Sequence, residues 1–238
     1  MVRSSADGSG ENLGRSALVT GGSLGIGLEF AKELSKKGYE VKIVGRNVER
    51  LENAKHEIQE ACDTETSVVT QSVDLGSSGI EMGEIFDRSF SLVILNAGIA
   101  GRGKILEQSP EVLERMVKTN ISQQVLMTKH AILNAQSSST SCTVLHVSSI
   151  VSDVNFPFSA TYGATKRFNE LFAIQVARSL RGKDIRTHVV KPSTTTTRLT
   201  GYKDNLFTSE ASQVASATLN SMPYHLCQTQ YGSLNHAI

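Results

Sequence analysis

The sequence predicts a doubly wound α/β domain, with a parallel sheet layered between helices on both faces. Three observations carry this. Short apolar runs alternate with longer amphipathic stretches, which is the pattern of strands joined by crossover helices. The loop after the first apolar run is rich in glycine and opens directly into a helical stretch. A length of 238 residues suits one large domain better than two.

Ser16 to Thr20 reads as a buried strand, and Gly25 to Gly38 as a helix whose Ile26, Phe30 and Leu34 share a face, with Gly38 closing it. A strand over Glu40 to Val44 precedes a charged helix from Val48 to about Cys62. Next come a strand over Ser67 to Val73, a short helix around Ile80 to Arg88 and a strand over Leu92 to Leu95. One long helix is expected from Pro110 to about Ala135, with Ser109 as N-cap and proline at its first position. A strand over Cys142 to Val147, a helix from about Ser159 to Leu180 and a strand over Ile185 to Val190 make six strands in all. The looser stretches are Gln136 to Ser141 and Lys191 to Ser209, the second following the sixth strand.

Composition narrows the function classes. Lys and Arg number 24 against 23 Asp and Glu, so no bulk field recruits nucleic acid or an anionic membrane surface. No apolar stretch approaches the ~20 residues of a membrane span. Residues 1–14 are polar and rich in Gly and Ser, a loose tail rather than a signal peptide, and residues 15–238 are read as one domain. Cys62, Cys142 and Cys227 fit neither a disulfide framework nor a CxxC site, and a reducing, cytoplasmic setting is expected. The six histidines show no metal-ligand spacing, and Ser149 does not stand in a GxSxG elbow.

The glycine loop runs Thr20-Gly21-Gly22-Ser23-Leu24-Gly25-Ile26-Gly27. Glycine serves where backbone turns sharply, approaches a pyrophosphate, or lets helix and strand pack closely, and Gly21, Gly25 and Gly27 can fill those places. The N–H groups opening the next helix then favour phosphate charge. A plain strand-to-helix turn or a methyltransferase cofactor loop would look similar. At the end of the second strand, where an NAD site carries a carboxylate for the ribose hydroxyls, this chain has Gly45 and Arg46. A guidanium fork pairs with a 2′-phosphate that a carboxylate would repel, so the expected cofactor is NADP(H). Leu24 supplies no second cation, and a solvated loop arginine is the bland alternative.

Tyr162 and Lys166 stand four apart at the start of the helix that begins near Ser159 and share a face. An ammonium beside a phenol lowers its pKa, so Lys166 could tune Tyr162 as a general acid/base, although such pairs also arise by chance on solvated helices. Ser148 and Ser149 end the fifth strand, Ser149 lying 13 residues before Tyr162.

These motifs, in this order, resemble the short-chain dehydrogenase/reductase family and its Rossmann fold. The family pattern is TGxxxGxG, an NAG turn, a catalytic Asn, a catalytic Ser and YxxxK. Here they stand as Thr20 to Gly27, Asn96-Ala97-Gly98, Asn120, Ser149, and Tyr162 with Lys166. The resemblance implies that Tyr162 exchanges a proton with the substrate oxygen while Ser149 orients and polarises it. It implies that Lys166 bonds the nicotinamide ribose and that Asn120 holds a water relaying protons from Lys166. It places Ser23, Leu24 and Ile26 on the cofactor with the glycines, Asp74 and Leu75 at the adenine, and Asn96 to Gly98 along the dinucleotide. Asp74 serves equally well as an N-cap. Past the sixth strand Pro192, Thr195 and Thr197 match positions that meet the carboxamide, with Ser193 where the family has glycine, though the threonine run also suits a merely polar loop.

The family implies an oxidoreductase that interconverts a carbonyl and an alcohol by hydride transfer, working as a homodimer or homotetramer built through the two long helices. Arg198-Leu199 and Tyr231 to Ile238 resemble the branch of very-long-chain 3-oxoacyl-CoA reductases and 17β-hydroxysteroid dehydrogenases, which implies a lipid-type ketone. A small soluble carbonyl compound is the alternative, and a dinucleotide-binding regulator without turnover is the reading from another class. Leu199, Tyr202, Leu206 and Phe207 are expected either to cover the substrate or to pack the core.

Overall fold

The structure is a computed structural model that describes residues 15–62, 66–101, 103–154, 157–193, 210–222 and 229–231. The expectations for the N-terminal tail, for Cys227, for Thr195 and Thr197 and for the cover residues Arg198, Leu199, Tyr202, Leu206 and Phe207 lie outside the described residues.

Strands β1 (Ser16–Thr20), β2 (Glu40–Gly45), β3 (Val68–Ser72), β4 (Leu92–Leu95), β5 (Cys142–Val147), β6 (Ile185–Lys191) and β7 (Thr229–Tyr231) form one sheet in the order β3-β2-β1-β4-β5-β6-β7. Every pairing is parallel. The expected six strands become seven. β7 is short and joins beside β6, where the edge of a growing parallel sheet supplies the register that its own sequence lacks.

Side chains alternate across the sheet. Ala17 and Val19 of β1 enter a core with α1 (Gly25–Lys36), α2 (Val48–Glu60) and α7 (Ala211–Ser221), whereas Leu18 enters a second core with α3 (Met82–Ile85), α5 (Gln123–Ser137) and the end of α6 (Ala160–Ser179). Two separate apolar layers, one per face, are what a parallel sheet requires. Gly38 ends α1 in the left-handed region at φ +79°, and its N–H and that of Tyr39 bond back to Ser35 and Leu34 carbonyls at 2.9 and 3.0 Å.

The long helix expected over 110–135 is broken. α4 (Pro110–Val117) opens with Ser109 accepting from the Val112 N–H at 3.5 Å, as its sequence predicts. A π-type turn over Lys118–Ser122 then separates it from α5 and carries Asn120. α7 was not foreseen, because its Ser- and Thr-rich stretch shows little apolar periodicity. It buries only Val214, Ala215 and Thr218, with Ala215 joining the core shared by α1 and α2.

The chain runs outward from β1 to β3 and returns to start again at β4, so the β1/β4 boundary is a topological switch point where the loops at the strand carboxyl ends diverge.

On β5, His146 is fully buried between Gln124 Oε1 at 3.2 Å and Thr128 Oγ1 at 3.4 Å. Burial, and then the charge of Lys166, push its pKa down to about 3. Between pH 6.5 and that value the unfolded chain binds the proton that the folded ring refuses, so stability falls as pH falls. From pH 7 to 5 this ring alone should remove about 2 kcal/mol. Urea unfolding at both pH values measures it: a His146→Gln variant should lack that increment, and equal pH slopes in the two proteins would overturn the assignment.

Candidate active site

The first link between the switch point and chemistry is the packing of the glycine loop. Gly21 and Gly25 hold φ of +65° and +58°, a region that side chains disfavour. Gly27 has no such φ but no room either: a Cβ there would stand 2.3 Å from the Gly21 carbonyl oxygen and 2.5 Å from Asn96 Nδ2. The NAG turn after β4 braces the loop. Thr20 Oγ1 accepts from the N–H groups of Asn96 and Ala97, both at 3.0 Å, and Asn96 Nδ2 donates to the Thr20 and Gly21 carbonyls at 3.1 and 3.3 Å. α1 then opens at Gly25 with no side-chain cap from Leu24 and no acidic residue in its first turn. Its leading N–H groups are left for an anion, and the backbone around them is bare enough for a diphosphate to approach.

A cleft of ≈ 430 Å³ opens over this loop. Its walls include the predicted residues Gly21, Ser23, Leu24, Gly25, Ile26, Arg46, Asp74, Leu75 and Asn96 to Gly98, while Gly27 lies behind them. At one end Arg46 stands with Asn47 and Arg50. Arg50 supplies the second cation that Leu24 does not. It was missed although a signal existed: Asn47 caps α2 by accepting from the Arg50 N–H at 2.8 Å, which fixes Arg50 in the first helical turn at the cleft edge.

Asp74 caps no helix. It accepts from the Gly76 N–H at 2.9 Å in a turn and pairs with Arg115 at 2.7 Å. These bonds, the Gly76 N–H foremost, hold its carboxyl below the usual range. The second residue the sequence reading omitted is Arg115 of α4, whose guanidinium answers the Asp74 carboxylate on the cleft wall.

The other predicted side chains meet at the carboxyl ends of β4 and β5. Ser149 follows β5 and caps a 3₁₀ turn over Ile150–Ser152. Its hydroxyl faces the Tyr162 phenol closely enough to pull the phenol pKa down, but burial outweighs this and pushes it up to about 12. The expectation that Lys166 lowers the Tyr162 pKa fails in this state. The ammonium lies 5.7 Å from the ring centroid, and burial pushes its own pKa down to about 8. Lys166 Nζ donates to the Val147 carbonyl at 2.8 Å, and the Ser148 hydroxyl donates to the Lys166 carbonyl at 2.9 Å.

Asn120, placed by the π-type turn, spends its amide on structure. Its oxygen accepts from the Ile99 N–H at 2.9 Å, and its nitrogen donates to the Ile99 carbonyl at 2.9 Å and to Thr165 Oγ1 at 3.1 Å. A Cβ on Gly98 would sit 3.3 Å from Asn120 Oδ1 and 3.4 Å from Lys166 Nζ, so this glycine lets the cofactor wall meet the catalytic cluster. The Pro192 carbonyl accepts from the Ile150 N–H at 2.9 Å, bringing the end of β6 to the Ser149 turn. Among the described residues, no group of His, Cys, Asp and Glu is arranged to hold a metal ion, and no helix is long and apolar enough to cross a membrane.

Comparison with known proteins agrees with this geometry. The sequence profile of the short chain dehydrogenase family matches residues 15–205. The chain is 29% identical over 237 residues to 17-beta-hydroxysteroid dehydrogenase type 3 of Danio rerio, covering 95% of this chain and 75% of that protein. It is 27% identical over 205 residues to the very-long-chain 3-oxoacyl-CoA reductase of Macaca fascicularis, covering 81% of this chain but 63% of the relative. A short-chain dehydrogenase from Sphingobium yanoikuyae, solved in complex with NADPH, superposes with a TM-score of 0.83 at 22% identity, covering 93% of this chain and 89% of that one. The braced glycine loop, the serine–tyrosine contact and the profile match agree, and the chain belongs to the short-chain dehydrogenase/reductase family of nicotinamide-dependent oxidoreductases.

Proposed function

We propose that this chain reduces a lipid-type ketone with NADPH, Tyr162 serving as the proton donor. The observation that carries the reading is the contact between the Ser149 hydroxyl and a phenol that burial keeps protonated. When bound, NADPH supplies the hydride and its two electrons to the carbonyl carbon. The protein supplies the rest. Tyr162 gives its proton to the developing alkoxide, and Ser149 fixes the oxygen in the plane from which it accepts. The tyrosinate left behind then draws its proton back from the Lys166 side, where burial, by pushing the pKa down to about 8, inclines the ammonium to give one up.

The cofactor preference is supported at the far end of the cleft, where Arg46 and Arg50 stand together and Asp74 is offset by Arg115. Gly21 to Gly27 and the uncapped α1 terminus would hold the diphosphate. The structurally similar Sphingobium dehydrogenase was solved with NADPH, and the two sequence relatives are named for a hydroxysteroid and a 3-oxoacyl-CoA. On this chain, Ile105, Leu106, Val154 and Phe158 are exposed on two loops that the Gly103 N–H to Phe158 carbonyl bond joins at 3.1 Å. That apolar lip beside the Ser149 turn suits a hydrophobic substrate. Leu126 and Leu133 of α5 and Leu171 of α6 are also exposed, which supports a homo-oligomer formed through these helices.

Tyr162→Phe should cut NADPH-dependent reduction by ~10²- to 10⁴-fold while leaving NADPH binding intact, measured as absorbance loss at the cofactor's reduced band and by fluorescence titration. A panel of 3-oxoacyl thioesters, steroid ketones and small aldehydes tests the substrate class, and preference for the small aldehydes would overturn the lipid reading. Arg46→Ala should weaken NADPH binding by ~10-fold or more and leave NADH binding little changed, with Arg50→Ala acting in the same direction. Equal losses for both cofactors would remove the 2′-phosphate assignment.

A further inference from the structure

We propose that Lys191 is a positioning residue for the reaction, its ammonium tying α6 to the segment behind Ser149 and so setting where Ser149 stands relative to Tyr162. The proposal rests on reading those two residues as the reacting pair.

Three segments converge on this side chain. Lys191 is the last residue of β6 and is 2% exposed. It faces α6, as does Thr187 four residues earlier, whose hydroxyl donates to the Ala173 carbonyl at 2.7 Å. Lys191 Nζ bonds Glu170 Oε2 at 3.1 Å and also Asp153 Oδ2. Glu170 stands one turn beyond Lys166 on the buried face of α6, the helix that carries Tyr162. Asp153 closes the 3₁₀ turn that Ser149 opens: the Ser152 and Asp153 N–H groups bond the Ser149 and Ile150 carbonyls, each at 3.0 Å. The ammonium therefore links the helix of the tyrosine to the turn of the serine.

The neighbouring contacts follow the same three-way pattern. Arg167 bridges Glu170 at 2.8 Å and Asp153 at 3.5 Å, but its side chain is 48% exposed, so water weakens what it contributes. Ser152 Oγ reaches Glu170 Oε2 at 3.5 Å. Among the described residues, two cations and two carboxylates balance one another in the cluster. Holding β6 on α6 needs no charge at all, since apolar side chains of similar volume do that as well or better. What an ion cluster adds is direction: it anchors a third segment, and here that segment is the short turn carrying the serine hydroxyl. A displacement of ~1 Å between reacting groups costs on the order of 10²-fold in rate, so slack in this turn should appear in turnover rather than in cofactor affinity.

The test uses the full chain with NADPH and whichever carbonyl substrate turns over. Lys191→Met should lower kcat by ~10- to 100-fold, with NADPH Kd and substrate KM within about twofold, and Lys191→Arg should restore most of the loss. Asp153→Asn, at the partly exposed end of the cluster, should fold and lower kcat in the same direction. Should Lys191→Met fail to fold, Lys191→Met/Glu170→Leu keeps an apolar contact between β6 and α6 while removing the tie to the turn, and reduced kcat is again expected. A merely structural role lowers the melting temperature and spares kcat. A folded Lys191→Met, or the folded double variant, with unchanged kcat overturns the proposal, and so does an unchanged Asp153→Asn where the Lys191 variants do not fold. Turnover that survives Tyr162→Phe sinks the catalytic reading itself. Turnover lost in Tyr162→Phe yet normal in Lys191→Met sinks this proposal alone.

Discussion

The bond from the Lys166 ammonium to the Val147 carbonyl is the constraint on which the site depends. It holds a charged group at the buried end of β5 and, with the Ser148 hydroxyl bonded to the Lys166 carbonyl, fixes the first turns of α6 against the strand. Tyr162 lies one turn earlier on the same helix face, so anchoring Lys166 leaves the phenol little choice but to meet the serine that follows β5. Asn120 and Thr165 close the other side of the helix, and Ile99 ties that side to the loop after β4. Chemistry and cofactor wall are thus set by bonds to backbone, whose positions the parallel sheet determines.

The glycine loop follows the same logic from the opposite side of the switch point. The side chains of Thr20 and Asn96 grip one another's backbone across β1 and β4, and the close approach of Gly27 to Gly21 leaves no space for a methyl group. The loop is therefore shaped before any ligand arrives. Ordering it costs the binding step nothing, which is how a short run of N–H groups can hold a diphosphate well.

Much of this was legible in the sequence because local chemistry and tertiary outcome agree. The strand limits of β1, β4 and β5, the Ser109 cap and the closing role of Gly38 all follow from patterns a few residues wide. What escaped is decided by long-range packing. The π-type turn at Asn120 interrupts a stretch with unbroken helical periodicity, and the cause is the bonding of Asn120 to Ile99 and Thr165. Arg115 reads as an ordinary helix arginine until α4 is folded against Asp74. α7 and β7 take their form from α1 and β6 rather than from their own residues. The expected lowering of the Tyr162 pKa by Lys166 is outweighed for a related reason: spacing reports that two groups are near, whereas burial acts on the charged form of each.

Three lysines are buried among the described residues, and the groups that meet their charges differ. Lys42, Lys166 and Lys191 are 4%, 3% and 2% exposed, and all three have ammonium groups withdrawn from water. Lys42 meets Asp87 at 3.1 Å and the Glu84 carbonyl at 2.9 Å, and Lys191 meets two carboxylates. Each of those charges is answered by an opposite one, which offsets part of the cost of taking it out of water. Lys166 has a neutral carbonyl instead, and among the described residues no ion pair answers it. An ammonium buried beside a neutral carbonyl gives up its proton more easily, and burial pushes the Lys166 pKa down to about 8. A fold that needed only to fill the space behind Tyr162 would have no reason to retain such a group. On the proposed mechanism, handing a proton back to a tyrosinate is such a reason, and the lack of a carboxylate beside Lys166 among the described residues suits that role.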